Sequence, residues 1–381
     1  MATKRSIFED VGTNEKPKET PKGGLIEKRG GGARRGIRLW LMVIFALVMM
    51  MIAVGGLTRL TDSGLSITEW KPVMGALPPM TAADWQVAFE KYQQTPEYRL
   101  QNEGMTLSEF KPLFLWEWGH CNLGRVIGLV WFLGYVRFAV AKKVPTGWHK
   151  RLIFIGALGG LQGAIGWWMV SSGLTGDRLD VASYRLATHL GLAFIILGFI
   201  AWYVFLLGRT EPELMQARRA KDAKLFGMST GMLHFAFLQI LLGALVAGID
   251  AGRGYTDWPL MGGQVLPPDP FYLEPLWRNF FENPATVQFL HRMAGYLLFI
   301  YGIVTWLKGR KSANRATASA FTLMAAMLFL QVILGITTLV HGAPLALGLA
   351  HQVGAVALFV AISRARFLSQ YPQPQSVRSN Q

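Results

Sequence analysis

Hydrophobic and polar positions along this chain alternate in long blocks, not in the short periods of a soluble core. Apolar runs of about 20 residues, the length that spans bilayer hydrocarbon, recur eight times, at roughly 38–58, 117–139, 152–173, 184–207, 227–249, 286–307, 317–340 and 346–366. Runs this long exclude barrel strands, so the pattern predicts an all-α integral membrane protein with eight transmembrane helices. The run that begins near Ile37 is too long for a secretory signal and lacks a convincing cleavage site. It is read as the first span, behind a basic, disordered tail over 1–37 that is rich in Lys, Pro and Gly.

The blocks also repeat. An outer loop over 59–116 contains Thr68-Glu69-Trp70-Lys71-Pro72, and a second over 250–285 contains Thr256-Asp257-Trp258-Pro259. Spans three, five and seven share Leu161-Gln162-Gly163-Ala164-Ile165-Gly166, Leu238-Gln239-Ile240-Leu241-Leu242-Gly243 and Leu330-Gln331-Val332-Ile333-Leu334-Gly335. Spans two and six share a His-x-x-x-Gly opening, at His120 and His291; spans four and eight carry Ala187-Thr188-His189 and Leu349-Ala350-His351. Self-similarity of this kind predicts two tandem pseudo-symmetric four-helix bundles, 38–207 and 227–366, joined by an inner linker over 208–226 and followed by a tail over 367–381.

Composition changes the picture little, since 51% hydrophobic residues is what the spans require. The net charge of +15 could suggest nucleic acid, but its distribution points elsewhere. Basic residues crowd the N-terminal tail and then Lys142–Arg151, Arg218–Lys224 and Lys308–Arg315, all on alternate loops and so on one side. The positive-inside rule puts both termini in the cytoplasm of a bacterial inner membrane, or in the matrix of an organelle. No basic patch remains for DNA or RNA, and lipid is the expected surround. Cys121, the single cysteine, allows no intrachain disulfide. Without a Cys-x-x-Cys-His motif, any haem would be held non-covalently.

Seven histidines remain to be sorted. His120, His189, His291 and His351 each lie one to two turns into a span that runs from outside to inside, which puts all four at similar depth near the outer leaflet. Paired imidazoles at one depth on neighbouring helices can clamp a haem iron from both sides, His120 with His189 and His291 with His351. An interhelical hydrogen bond would explain one such histidine, but not four at matching repeat positions. Zinc is the competing metal, and it favours clustered ligands at short spacings, unlike these. His149, His234 and His341 fall outside the pattern and read as solvated or structural.

Glu117 stands at i−3 from His120 on the same helical face, where an ionisable group is costly and marks a site by default; an interfacial carboxylate in water is the alternative. The second unit has Gln288 at the matching position. That asymmetry predicts chemistry in the first unit and a supporting cofactor in the second. Arg125 and Arg292 follow their histidines and could pair with propionates, as could Arg59; snorkelling to the interface is the alternative for each.

With these residues in hand, the chain resembles the haem A synthase family over about 38–366. The most specific pieces are Gly55-Gly56-Leu57-Thr58-Arg59-Leu60-Thr61-Asp62-Ser63-Gly64-Leu65-Ser66, Glu117-Trp118-Gly119-His120 and Ala247-Gly248-Ile249-Asp250-Ala251-Gly252, with His291-Arg292 and Leu349-Ala350-His351 beside them. The resemblance implies oxidation of the C8 methyl group of haem O to a formyl group by successive hydroxylations, with loss of water from a geminal diol. It implies that His120 and His189 hold the substrate haem with Glu117 as the working acid, and that His291, His351 and Arg292 hold a haem b cofactor that relays electrons. It implies the haem O synthase, a protohaem farnesyltransferase, as partner; self-association into a homo-oligomer is left open. Some members carry a cysteine pair in the first outer loop. This chain has none there, so it looks like the cysteine-lacking proteobacterial and mitochondrial branch. The alternative function is a quinol-linked di-haem b electron-transfer cytochrome. A transporter is disfavoured because polar residues gather near the outer surface and not at the midplane.

Overall fold

The computed structural model describes residues 25–176 and 178–375, with residues 25–31 as backbone. Among the described residues the chain is all helical, apart from one isolated bridge between Met261 and Gln264. In chain order the helices are α1 (Leu25–Leu60), α2 (Ala82–Tyr92), α3 (Pro96–Leu100), α4 (Leu107–Val140), α5 (Trp148–Val170), α6 (Ser183–Leu207), α7 (Glu211–Arg219), α8 (Ala223–Gly248), α9 (Asn279–Glu282), α10 (Pro284–Gly309), α11 (Arg315–Val340) and α12 (Leu345–Gln370). Eight of them, α1, α4, α5, α6, α8, α10, α11 and α12, are long and apolar enough to cross a bilayer. The chain is an integral membrane protein.

Three boundaries depart from expectation. Helix α1 starts at Leu25, within the predicted disordered tail, and residues 1–24 of that tail lie outside the described residues. Helix α4 starts at Leu107, not near 117. Thr106 and Glu109 form a capping box there, each side chain bonding the other's backbone N–H. Phe110 then packs on Phe89 and Tyr92 of α2, which stabilises a helical extension above the bilayer. Helix α12 runs on to Gln370, where Arg209 donates to the carbonyls of Tyr371 and Pro372 just past its end. Residues 376–381 of the predicted tail lie outside the described residues.

Helix α1 packs on α4 and α6, and α5 lies between α4 and α6. Helix α8 packs on α10 and α12, and α11 lies between those two. Contacts of α6 with α8, α1 with α12 and α6 with α12 join the two rings. This neighbour order is consistent with a tandem arrangement. The main core runs along the junction, through Leu41, Ile44, Leu197, Ile200, Met232 and Ile362. By contrast α4 buries only Phe110 and Glu117, and α5 only Trp148, Leu152 and Ile155, so the flank they form is left to lipid.

The two outer loops are folded caps. In the first, α2 begins at a Thr81–Asp84 capping box and α3 at Thr95-Pro96. Arg125 donates to the carbonyls of Lys71 and Pro72, and Asn122 to that of Ala76, so this loop is pinned to α4 one turn below His120. In the second, the Asp257 carboxylate accepts from the backbone N–H of Gly262 and Gly263, at 2.9 Å each, and these bonds hold its pKa below the ordinary value.

Candidate functional site: four glycine-backed histidines

The helix geometry gives each of the four singled-out histidines the same partner. A Cβ added to Gly55 on α1 would lie 3.0 Å from His120 Cε1; the corresponding distances are 2.8 Å from Gly166 to His189, 3.0 Å from Gly243 to His291 and 3.0 Å from Gly335 to His351. Each imidazole is thus pressed against bare backbone on the preceding span, where any side chain would push it aside. All four are half-buried, whereas His149, His234 and His341 are exposed. His234 and His341 place Nδ1 2.8 Å from the carbonyl of Thr230 and of Thr337, and His149 pairs with the Tyr135 hydroxyl.

The rings of His291 and His351 lie 6.5 Å apart between centres and nearly perpendicular, at 82°. Two imidazoles bound on opposite sides of one metal at about 2.0 Å have centres about 6 Å apart, so this pair has the spacing that an axial pair needs. Among the described residues no group of three or more His, Cys, Asp or Glu could hold a metal ion. What the fold shows is one close pair, His291 with His351.

A second repeated feature brings in residues that the sequence reading assigned only to the repeat. Gln162, Gln239 and Gln331, each one turn before a backing glycine, donate to the carbonyl oxygens of His189, His291 and His351 at 3.0, 2.9 and 2.7 Å. Each amide nitrogen also lies 3.1–3.2 Å from the Nδ1 of its histidine. For Gln162 and Gln239 it is nearly as close to Nε2, which puts it over the ring face and not in line with either lone pair. The Oε1 atoms of all three are buried without a partner among the described residues. An imidazole that binds metal through Nε2 carries its proton on Nδ1 and needs an acceptor there, which a small turn of the amide or the ring would supply. The unsatisfied oxygens and the glycine cradles both fit a haem-type ligand set.

Glu117 is 4% exposed. Its Oε2 accepts from Ser66 Oγ at 2.6 Å and from the backbone N–H of Ile67 at 2.8 Å, so the first outer loop folds down onto it. Gln288, its counterpart, is stitched differently: Nε2 donates to the carbonyls of Ala251 and Tyr255, and Oε1 accepts from Arg292. Arg292, 8% exposed, spends its other donors on the carbonyls of Asp257, Leu260 and Tyr255. Only its Nε is buried and unpartnered among the described residues.

Arg59, a candidate for a propionate or the interface, instead meets three carboxylates, Asp62 at 2.8 Å, Asp180 at 3.3 Å and Asp250 at 2.8 Å. Asp62 and Asp250 occupy equivalent left-handed turns after α1 and α8, with φ of 49° and 51°. The Arg59 contact therefore joins the first and third of the motifs singled out in the sequence. Arg125 is committed to the loop carbonyls already described. Cys121 is a free, half-buried thiol.

Four glycine-backed histidines in an eight-span bundle, two of them 6.5 Å apart, define a membrane protein whose candidate site is a set of imidazoles suited to a planar metal macrocycle. The family of cytochrome oxidase assembly proteins described as COX15-CtaA matches residues 38–363, and the chain belongs to it. It is 63% identical over 378 residues to a protein of Ruegeria sp. (strain TM1040) named heme A synthase, covering 99% of both chains. Proteins of the same name from Roseobacter denitrificans and Paracoccus denitrificans are 60% identical over 380 residues and 58% over 375, covering 98% or more of each chain.

Proposed function

We propose that the chain acts as a haem A synthase, oxidising the C8 methyl group of haem O to a formyl group by successive hydroxylation. The observation that carries this reading is the set of four glycine-backed histidines with a buried acid beside only one of them. The near full-length identity to proteins named heme A synthase supports it. The first unit, 38–207, holds substrate between His120 and His189. The second, 227–366, holds haem b between His291 and His351, with Arg292 Nε as the donor left for a propionate. Bound haem b supplies a one-electron relay.

The chain's own residues divide the remaining work. His120 and His189 orient the substrate ring from opposite sides. Glu117, fixed through one oxygen by Ser66 and Ile67, keeps its other oxygen free to hold or pass a proton beside His120. The folded first loop limits water at that edge. The thinly buried α4–α5 flank suits delivery of so apolar a substrate from within the bilayer, by the farnesyltransferase that makes it. The alternate basic loops support a bacterial inner-membrane location with both termini cytoplasmic.

The test is chromatography of haem extracted from the purified chain, expressed with and without a haem O-making enzyme. Haem b alone without that enzyme, with haem O and haem A appearing in its presence, is expected. Two haem b per chain in both would favour a di-haem electron-transfer cytochrome, and no haem in either would overturn the reading.

A further inference from the structure

The four histidine sites are alike in their backing glycine and unlike in one residue. At the position one turn before the glycine, three sites have glutamine and the fourth, before Gly55, has Met51. The two kinds of side chain occupy the same place. Gln239 Nε2 lies 3.2 Å from the Cβ position of Gly295, four residues after His291, and Met51 Cε lies 3.5 Å from that of Gly124, four residues after His120. Methionine has no N–H to give the histidine carbonyl and only a weakly accepting sulfur for Nδ1–H. The consequence is visible at the ring: His120 Nδ1 is buried without a hydrogen-bond partner among the described residues, whereas the Nδ1 of each of the other three lies 3.1–3.2 Å from a glutamine Nε2 whose amide also carries an unpartnered Oε1 able to accept from it after a turn.

We propose that Met51 is a positioning residue that keeps His120 the labile one of the four axial ligands, so that the first unit can take up and release its haem while the second retains its own. A metal-binding imidazole without an acceptor for Nδ1–H is a weaker ligand and is not fixed in rotation. The thioether beside it is flexible and yields to a turning ring. The asymmetry matches the two tasks: a substrate must leave as product, and a cofactor must stay. Glu117 stands three residues before His120 on the same helix. This inference rests on the proposed function, in that it takes the first unit to hold haem O and the second haem b.

The experiment follows haem transfer from the full-length protein in detergent to excess apomyoglobin, after co-expression with a haem O-making enzyme. Chromatography tells haem O and haem A from haem b, and ferric electron paramagnetic resonance reports axial ligation. In the wild type, haem O and haem A are expected to leave fast and haem b slowly. Met51→Gln is expected to slow the fast phase at least ~10-fold, the size of an outer-shell contact to a ligating histidine, and to shift the first haem toward low spin. Met51→Leu, which also brings no amide, is expected not to slow it. The reciprocal Gln239→Met is expected to speed haem b release by a similar factor. Met51→Gln protein that loads both haems and releases the first at the wild-type rate overturns the proposal. So does an unchanged haem b release from Gln239→Met, which decides the matter if Met51→Gln does not accumulate. Wild-type protein that loads haem b but never haem O or haem A overturns the first-unit assignment itself, a different failure from unchanged rates in a loaded variant.

Discussion

At the scale of single residues, the site combines one group able to move a proton with several that only hold shape. Glu117→Gln keeps the size of the side chain and can still accept from Ser66 and Ile67, but cannot exchange a proton. It is expected to bind haem O and to lose haem A formation by ~10²-fold or more, in the range typical of general acid–base residues; wild-type haem A yield from this variant would remove Glu117 from the reaction. The glycines give a contrast within one motif. On α5, a Cβ at Gly166 would meet His189 Cε1 at 2.8 Å, while a Cβ at Gly163 would meet nothing within 4 Å. Gly166→Ala is therefore expected to weaken first-unit haem retention by ~10–100-fold. Gly163→Ala is expected to leave retention unchanged and to gain up to ~1 kcal/mol in helix propensity, measured by haem content and thermal unfolding. Both glycines stand in the same repeated stretch of sequence, and only the cross-helix approach tells them apart.

At the scale of elements, what was legible depended on the solvent. Spans were legible because each needs about 20 apolar residues whatever its neighbours. The histidines and Glu117 were legible because a polar group in that solvent needs a reason. The Gln-x-x-x-Gly partners were visible as a repeat but not as part of the site, since they act across to the following span. Ser66 and Ile67 reach Glu117 by folding of a loop about fifty residues long, which no local period encodes. The Trp, Pro and Gly content of that loop suits capped turns and short interfacial helices, and α2 and α3 are such helices, but no local pattern says what the cap they form packs against. In that cap lies Glu97, 2% exposed, which accepts from the Tyr92 hydroxyl at 3.3 Å and leaves Oε2 buried without a partner among the described residues. Burial first, and the nearby Glu117 next, push its carboxyl from 4.5 up to about 8. Between those values the unfolded chain has released a proton that the folded chain keeps, so the contribution to stability is fullest below the lower value and falls as pH rises through the higher. Glu97→Gln is expected to flatten that fall, seen as a smaller drop in melting temperature between about pH 5 and pH 9 than the wild type shows. An equal drop in both proteins would mean that Glu97 is ionised in the fold.

At the scale of the whole molecule, the two units are tied at the level of the sites as well as through the core. Near the outer surface, Arg59 of α1 binds Asp250, beyond α8, together with Asp62 and Asp180. Deeper down, Gln352, next to the ligand candidate His351, donates to the carbonyl of Ile52 on α1 at 2.8 Å. Its side chain fills the space beside Gly56 so closely that a Cβ there would collide with Gln352 Oε1. The neighbours of these contacts are Met51 and Gly55, which shape the first site, so one short stretch of α1 faces His120 on one side and His351's helix on the other. Packed interiors transmit such displacements instead of absorbing them. Gly56→Ala, a change in the first unit, is therefore expected to move Gln352 and with it the second-unit haem, shifting the ferric spin-state signal or the midpoint potential of haem b. Gly119→Ala, where an added Cβ meets nothing within 4 Å, is the comparison within the same unit. If Gly56→Ala left the haem b signal where Gly119→Ala leaves it, the contact at Gln352 would join the two helices without joining the two sites.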